Sequence, residues 1–146
     1  MKKNKNHLAL LLTMVFLIAL VAACKKSSSN NSSITVQNLS GSYTLTDITV
    51  TVPGFGTQSV LDSVPACQRD DIIKLNTDMT SEQVDAGTKC NPTSAATGTW
   101  ALSGNSITID STTFNIQKFD GKVLMVSTDV TIQNITATTT ETLTKQ

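Results

Sequence analysis

The chain predicts an all-β fold, a small antiparallel up-and-down barrel or half-barrel of about 8–9 strands, preceded by a signal peptide and a flexible tether. Three observations carry this. Beyond residue 38 the sequence is rich in Thr, Val and Ile, with turn residues every eight to twelve positions, a spacing that suits meandering strands. No apolar periodicity of 3.6 lasts even three turns. Two short Gly-containing turns, Gly104-Asn105 and Asp120-Gly121, sit between alternating segments, where such dipeptides favour hairpins.

The first 23 residues read as an export signal. Lys2, Lys3 and Lys5 form a basic head, and Leu8 to Ala23 carries no charge. That apolar run is shorter than the ~20 residues a membrane-spanning helix needs, and it ends in small residues as a cleaved segment does. Val21-Ala22-Ala23-Cys24 resembles a bacterial lipobox. The resemblance implies cleavage before Cys24 and diacylglycerol on its thiol through a thioether, with a further acyl chain on the new amine. One chain alone holds a membrane only marginally, whereas two or three give a stable anchor. An ordinary signal peptide with an incidental cysteine is the plainer alternative. The tract KKSSSNNSS then lacks anything to bury, so 24–37 is expected to be a lipid-anchored tether. No acidic cluster follows Cys24, which favours the periplasmic side of the outer membrane over the cell surface. The remainder, 38–146, is expected to form one β domain.

Strands are expected near 41–52, 57–62, 70–76, 80–86, 97–103, 106–110, 112–119, 122–129 and 132–144. In the first, Tyr43 and Leu45 share one parity while Ile48, Val50 and Val52 share the other; a bulge near Asp47 reconciles them. Pro53-Gly54 ends it. The segment from Cys90 to Thr97 holds Pro92 and small residues and reads as a loop. The Gly104-Asn105 turn sets Leu102 opposite Ile107 and Trp100 opposite Ile109, collecting these four on one face; a one-residue slip would scatter them. A two-residue Asp120-Gly121 turn sets Ile116 opposite Met125 and Lys118 opposite Val123. Phe114, Ile116, Val123 and Met125 then share one face. Phe119, Leu124 and Val126 take the other, so both faces are partly apolar.

Composition narrows function. After cleavage eight Lys and Arg remain of the chain's 11, against all 11 acidic residues; a negative balance argues against nucleic acid. The chain's one histidine, His7, lies in the export segment. Its loss removes the commonest general base and metal ligand, and with it Ser–His and Cys–His nucleophile pairs. No cofactor is expected. Cys67 and Cys90 are an even pair in an oxidising compartment and read as a disulfide. Zinc lacks further soft ligands, and a free reactive thiol is the other reading. Asp70 and Asp71 are neighbours, which on a strand point to opposite faces; surface polarity suits them better than calcium. Asp78, Glu82 and Asp85 read as a solvated hairpin.

Taken together, LSGSYTL, CQRDDIIKLNTD, GTKCNP, GTWALSGNSITI and FNIQKFDGKVLMV, from about Leu39 to Lys145, resemble the small lipocalin-like domains of Bacteroidetes lipoproteins. Tyr43 stands where that family usually has tryptophan, and Met79 where a turn glycine is common. The resemblance implies a short barrel whose interior holds a small apolar ligand. Asp62-Ser63-Val64 and Asp110-Ser111-Thr112 also resemble a short O-glycosylation signal of that phylum, a tripeptide that arises by chance as well.

Eight residues are candidates to line a pocket: Trp100, Leu102, Ile107, Ile109, Phe114, Ile116, Val123 and Met125. Core packing is the plainer reading, and an eight-stranded barrel is just wide enough for either. The leading expectation is a non-enzymatic, lipid-anchored binding protein of the cell envelope. The alternatives are a filled module that docks an unidentified envelope protein through a strand edge, or an enzyme working through Ser–Lys or paired carboxylates, for which no motif speaks.

Overall fold

The computed structural model describes residues 32–146, apart from the side chain of Ile132. Residues 1–31, which hold the expected export segment, Cys24 and most of the expected tether, lie outside the described residues.

Among the described residues nine antiparallel strands run in chain order: β1 (Gly41–Val52), β2 (Gly56–Ser59), β3 (Ile72–Leu75), β4 (Thr80–Val84), β5 (Ala96–Ser103), β6 (Ser106–Ile109), β7 (Thr112–Phe119), β8 (Val123–Ile132) and β9 (Ile135–Lys145). β1 pairs with both β2 and β3, each strand from β3 onward pairs with the next, and β1 also pairs with β9. This closes an eight-stranded barrel, made of every strand except β2. β2 continues the line of β3 along the same edge of β1, pairing with Thr49–Val52 where β3 pairs with Gly41–Thr44. Between them, Leu61–Ser63 forms a 3-10 turn and Ala66–Arg69 a single helical turn. Where strand 57–62 was expected, pairing stops at Ser59.

The two halves of β1 alternate in opposite phase because its register against β9 shifts between Leu45 and Asp47. The bulge turns Tyr43 and Leu45 inward together with Ile48 and Val50, as their parity required. The β5–β6 hairpin keeps the expected register, Leu102 against Ile107 and Trp100 against Ile109; Gly104 supplies the positive φ of +57° at the turn.

The β7–β8 hairpin departs from expectation. The Asp120 carboxylate accepts from the amides of Lys122 and Val123, at 3.0 and 2.7 Å. These bonds close a longer connection than the two-residue turn, pairing Phe119 with Leu124 and Lys118 with Met125. A second shift, between Ile116 and Lys118, then sets Ile116 against Val126. The extra residue, Gln117, swings out and donates to the Ser127 hydroxyl at 2.7 Å. The bulge merges two half-apolar faces into one: Phe114, Ile116, Phe119, Leu124 and Val126 point inward. Val123 and Met125 take the outward face and do not join the core. The last turn is also displaced. β8 and β9 extend past the expected 129–132 connection and meet at Gln133-Asn134, both with positive φ (49° and 66°), as a twisted two-residue hairpin needs.

One end of the barrel is sealed. A helical turn, α1 (Val36–Leu39), is capped by Thr35, whose hydroxyl accepts from the amide of Asn38. Leu39 and Tyr43 are fully buried there, and the Tyr43 hydroxyl donates to the Leu39 carbonyl at 2.6 Å. The Ser32 amide reaches the Phe119 carbonyl, and Ile34 and Val36 pack on the core. Residues 32–37, placed in the tether by composition, therefore belong to the fold. The polar run masks two apolar side chains that seal the barrel floor.

Burial pushes the Tyr43 phenol pKa from 10.0 up to about 12. Between those values the unfolded phenol ionises while the folded one does not. The native state binds more protons there, so stability falls as pH rises through the window. Thermal melts from pH 9 to 12 are expected to show that alkaline loss, and Tyr43→Phe to flatten it. At pH 7 the same substitution is expected to cost about 1 kcal/mol, since the Leu39 carbonyl loses its donor. Parallel alkaline limbs in both proteins would refute this assignment.

Candidate functional site

The opposite end of the barrel is open, and a cavity of about 380 Å³ lies inside it. Its walls come from strand alternation. On β3 and β4, Ile73 faces Gln83 across the ladder; on β5, Ala96 and Gly98 follow on the same face. Ile109 of β6 and Phe114 of β7 supply the apolar side, and Glu141 of β9 the far wall. Glu141 pairs with Ile48 and with Val126 and shares the inward parity of buried Leu143.

The eight candidate residues divide. Trp100, Ile107 and Ile116 are buried in the core cluster, while Leu102, Ile109 and Phe114 are partly buried against it. Two of these, Ile109 and Phe114, also line the cavity. Val123 and Met125 do neither, for the reason of register given above. Ile73, Gln83 and Glu141 escaped the sequence reading. The signal for Glu141 was present but faint: in ITATTTETLTK it is an acid on the parity of Leu143.

The rim is built from polar contacts. Asp110, at the β6–β7 turn, accepts from the amide of Thr99 at 2.9 Å. A Cβ at Gly98 would run into that carboxylate, which gives the glycine of the GTW segment a steric reason. Lys74 bonds Glu82 at 3.1 Å. Asp71, expected at the surface, is buried; its carboxylate accepts from Gln83 Nε2 at 2.8 Å and from the amide of Ala86. Asp85 is buried too, taking the Thr93 hydroxyl and the Cys90 amide. These carboxylates fasten the 85–95 loop. Cys67 and Cys90 form the disulfide that pins the same loop to the Ala66–Arg69 turn. Among the described residues, no group of three or more His, Cys, Asp or Glu is placed to hold a metal ion. Ser63 and Ser111 are both exposed.

Glu141 differs from the other acids. Burial raises its pKa above the ordinary carboxylate value, and no hydrogen bond or ion pair reaches its side chain among the described residues.

A closed eight-stranded barrel, sealed by an N-terminal turn and hollow at the other end, matches one family in sequence as well: the lipocalin-like domain, over residues 39–144. The chain belongs to the lipocalin-like domain family. Members of this family are in general binding proteins, and the hollow end suits a hydrophobic ligand. No curated protein and no solved structure matches the chain. In this lipocalin-like domain the position of the usual opening tryptophan is filled by Tyr43. Its ring packs in the floor and its hydroxyl holds the sealing turn. Met79, where a turn glycine is common, adopts φ +68° and passes its carbonyl to the Trp100 amide at 2.8 Å.

Proposed function

We propose that this protein is a non-enzymatic, lipid-anchored carrier or sensor of the bacterial cell envelope, holding a small hydrophobic ligand in the open end of its barrel. The cavity of about 380 Å³ carries the reading. It falls at the small end of ligand pockets, which run roughly 300–1,000 Å³, and its walls mix apolar side chains with a few polar groups. Anchoring at Cys24, on the periplasmic face of the outer membrane, rests on the lipobox-like Val21-Ala22-Ala23-Cys24.

An environment-sensitive apolar dye is expected to brighten on the purified protein and to be displaced by short-chain amphiphiles. Ala96→Phe, which projects a ring into the mouth from a lining position of β5, is expected to abolish the signal, with an unchanged melt confirming that the barrel is intact. A folded wild-type protein that leaves the dye dark would sink the container reading. For the anchor, Cys24→Ala is expected to move the protein from the membrane to the soluble fraction.

A second reading keeps the docking role. Past Ser127, β8 has no strand on its β7 side among the described residues. Val130 and Ile135 stand exposed on that projecting hairpin, and Phe55 is exposed on the β1–β2 turn. A free edge with apolar side chains suits strand addition by a partner. Val130→Lys with Ile135→Lys would abolish such an association while leaving dye binding intact.

A further inference from the structure

Among the described residues, the charged side chains lining the cavity are all carboxylates: Glu82, Asp110 and Glu141. Two are already engaged. Glu82 is paired with Lys74, and Asp110 holds the Thr99 amide at the rim. Glu141 alone projects from the interior wall with no partner among the described residues, opposite Ile73, Ile109 and Phe114. Among the described residues no Lys or Arg lines the space.

From this arrangement we infer that the ligand is a small amphiphilic amine, its apolar body against Ile73, Ile109 and Phe114 and its ammonium group on the Glu141 carboxylate. The inference rests on the container reading above and adds the head group to it. An unpaired carboxylate in a low-dielectric wall is costly, and a cation brought within hydrogen-bond distance offsets that cost with a short, charge-assisted bond. A fatty acid of the same length would instead place its carboxylate in a cavity of like charge, which disfavours binding. Gln83, whose Nε2 is committed to Asp71, leaves its amide oxygen as a second acceptor and so also suits a donor-bearing head.

The test uses three probes with one eight-carbon chain: the primary amine, the alcohol and the carboxylate. Each displaces the dye from the purified protein at pH 7. The amine is expected to bind the wild type about tenfold more tightly than the alcohol, as a charge-assisted hydrogen bond allows, and the carboxylate more weakly than either. Glu141→Gln is expected to weaken the amine about tenfold, to the level of the alcohol; its melt confirms that the barrel is intact. Asp110→Asn, at the rim, is expected to keep the preference for the amine. Equal affinity for amine and carboxylate in the wild type, or an amine preference that survives Glu141→Gln, overturns the head-group assignment while sparing the container. Failure of all three probes and of the dye on a folded protein overturns both.

Discussion

Trp100→Ala is expected to destabilise the domain by about 3–5 kcal/mol, the usual cost of truncating a large buried aromatic. Trp100 is 2 % exposed and packs in the cluster with Ile107, Leu75 and Leu143. Its loss has a second component. The indole Nε1 donates to the Asn76 carbonyl at 2.8 Å, and the Trp100 amide donates to the Met79 carbonyl. One residue thus ties the β3–β4 turn to β5 from both its side chain and its backbone. In a domain of this size such a loss lowers the melting temperature by roughly 15–25 °C. Trp100→Phe keeps most of the apolar area and gives up the indole donor. It is expected to recover more than half of the loss and to leave about 1–2 kcal/mol, the cost of a buried carbonyl without its donor. Chemical denaturation read by far-UV circular dichroism measures both variants, since Trp100 is the chain's one tryptophan and fluorescence disappears with it. An alanine variant within 1 kcal/mol of wild type would mean the indole is not in the core.

Removal of the disulfide through the double substitution Cys67→Ala and Cys90→Ala ranks next. The bridge closes a loop of 23 positions, for which chain entropy predicts on the order of 3 kcal/mol, or some 10–20 °C in melting temperature. The loss should begin locally. The bridge holds the Ala66–Arg69 turn against the loop that Asp70, Asp71 and Asp85 stitch by accepting the amides of Thr88, Ala86 and Cys90. Amide exchange is therefore expected to quicken across 85–95 and at the start of β3 well before it does in β8 and β9. Uniform acceleration over the whole barrel would show instead that the loop and barrel unfold as one unit. Coincident melts for the oxidised protein and the double variant would rule out a stabilising role.

How far the fold could be read from residues alone differs between its two main hairpins. In TWALSGNSITID, apolar and polar positions alternate without a break and the turn has a glycine in the right place, so one register satisfies both strands. In STTFNIQKFDGKVLMVST, the Asp120-Gly121 pair is an equally strong local signal, yet it misleads. Alternation there leaves apolar residues on both faces. A bulge at Gln117 resolves that conflict, and a strand considered by itself has no means of choosing where to insert it. The two-residue turn would put Val123 and Met125 inward; the register of the barrel puts them outward. The Gln133-Asn134 turn carries no glycine, so nothing local marked it. Glu141, an acid among threonines, reads as surface until the strand on each side of it is known.

The sequence by itself determined the all-antiparallel class, the phase change in β1, the pairing of Trp100 with Ile109, the Cys67–Cys90 bridge and the family, because each depends on period-two alternation, turn chemistry or spacing within a short span. Only the tertiary structure decided that β1 meets β9, that residues 32–39 seal one end, and that the other end stays hollow with Glu141 in its wall. Those outcomes depend on how the closed barrel shares its interior volume among side chains from all eight strands. That is a property of the assembled sheet, set by two bulges and a floor contributed by a segment that looked like linker.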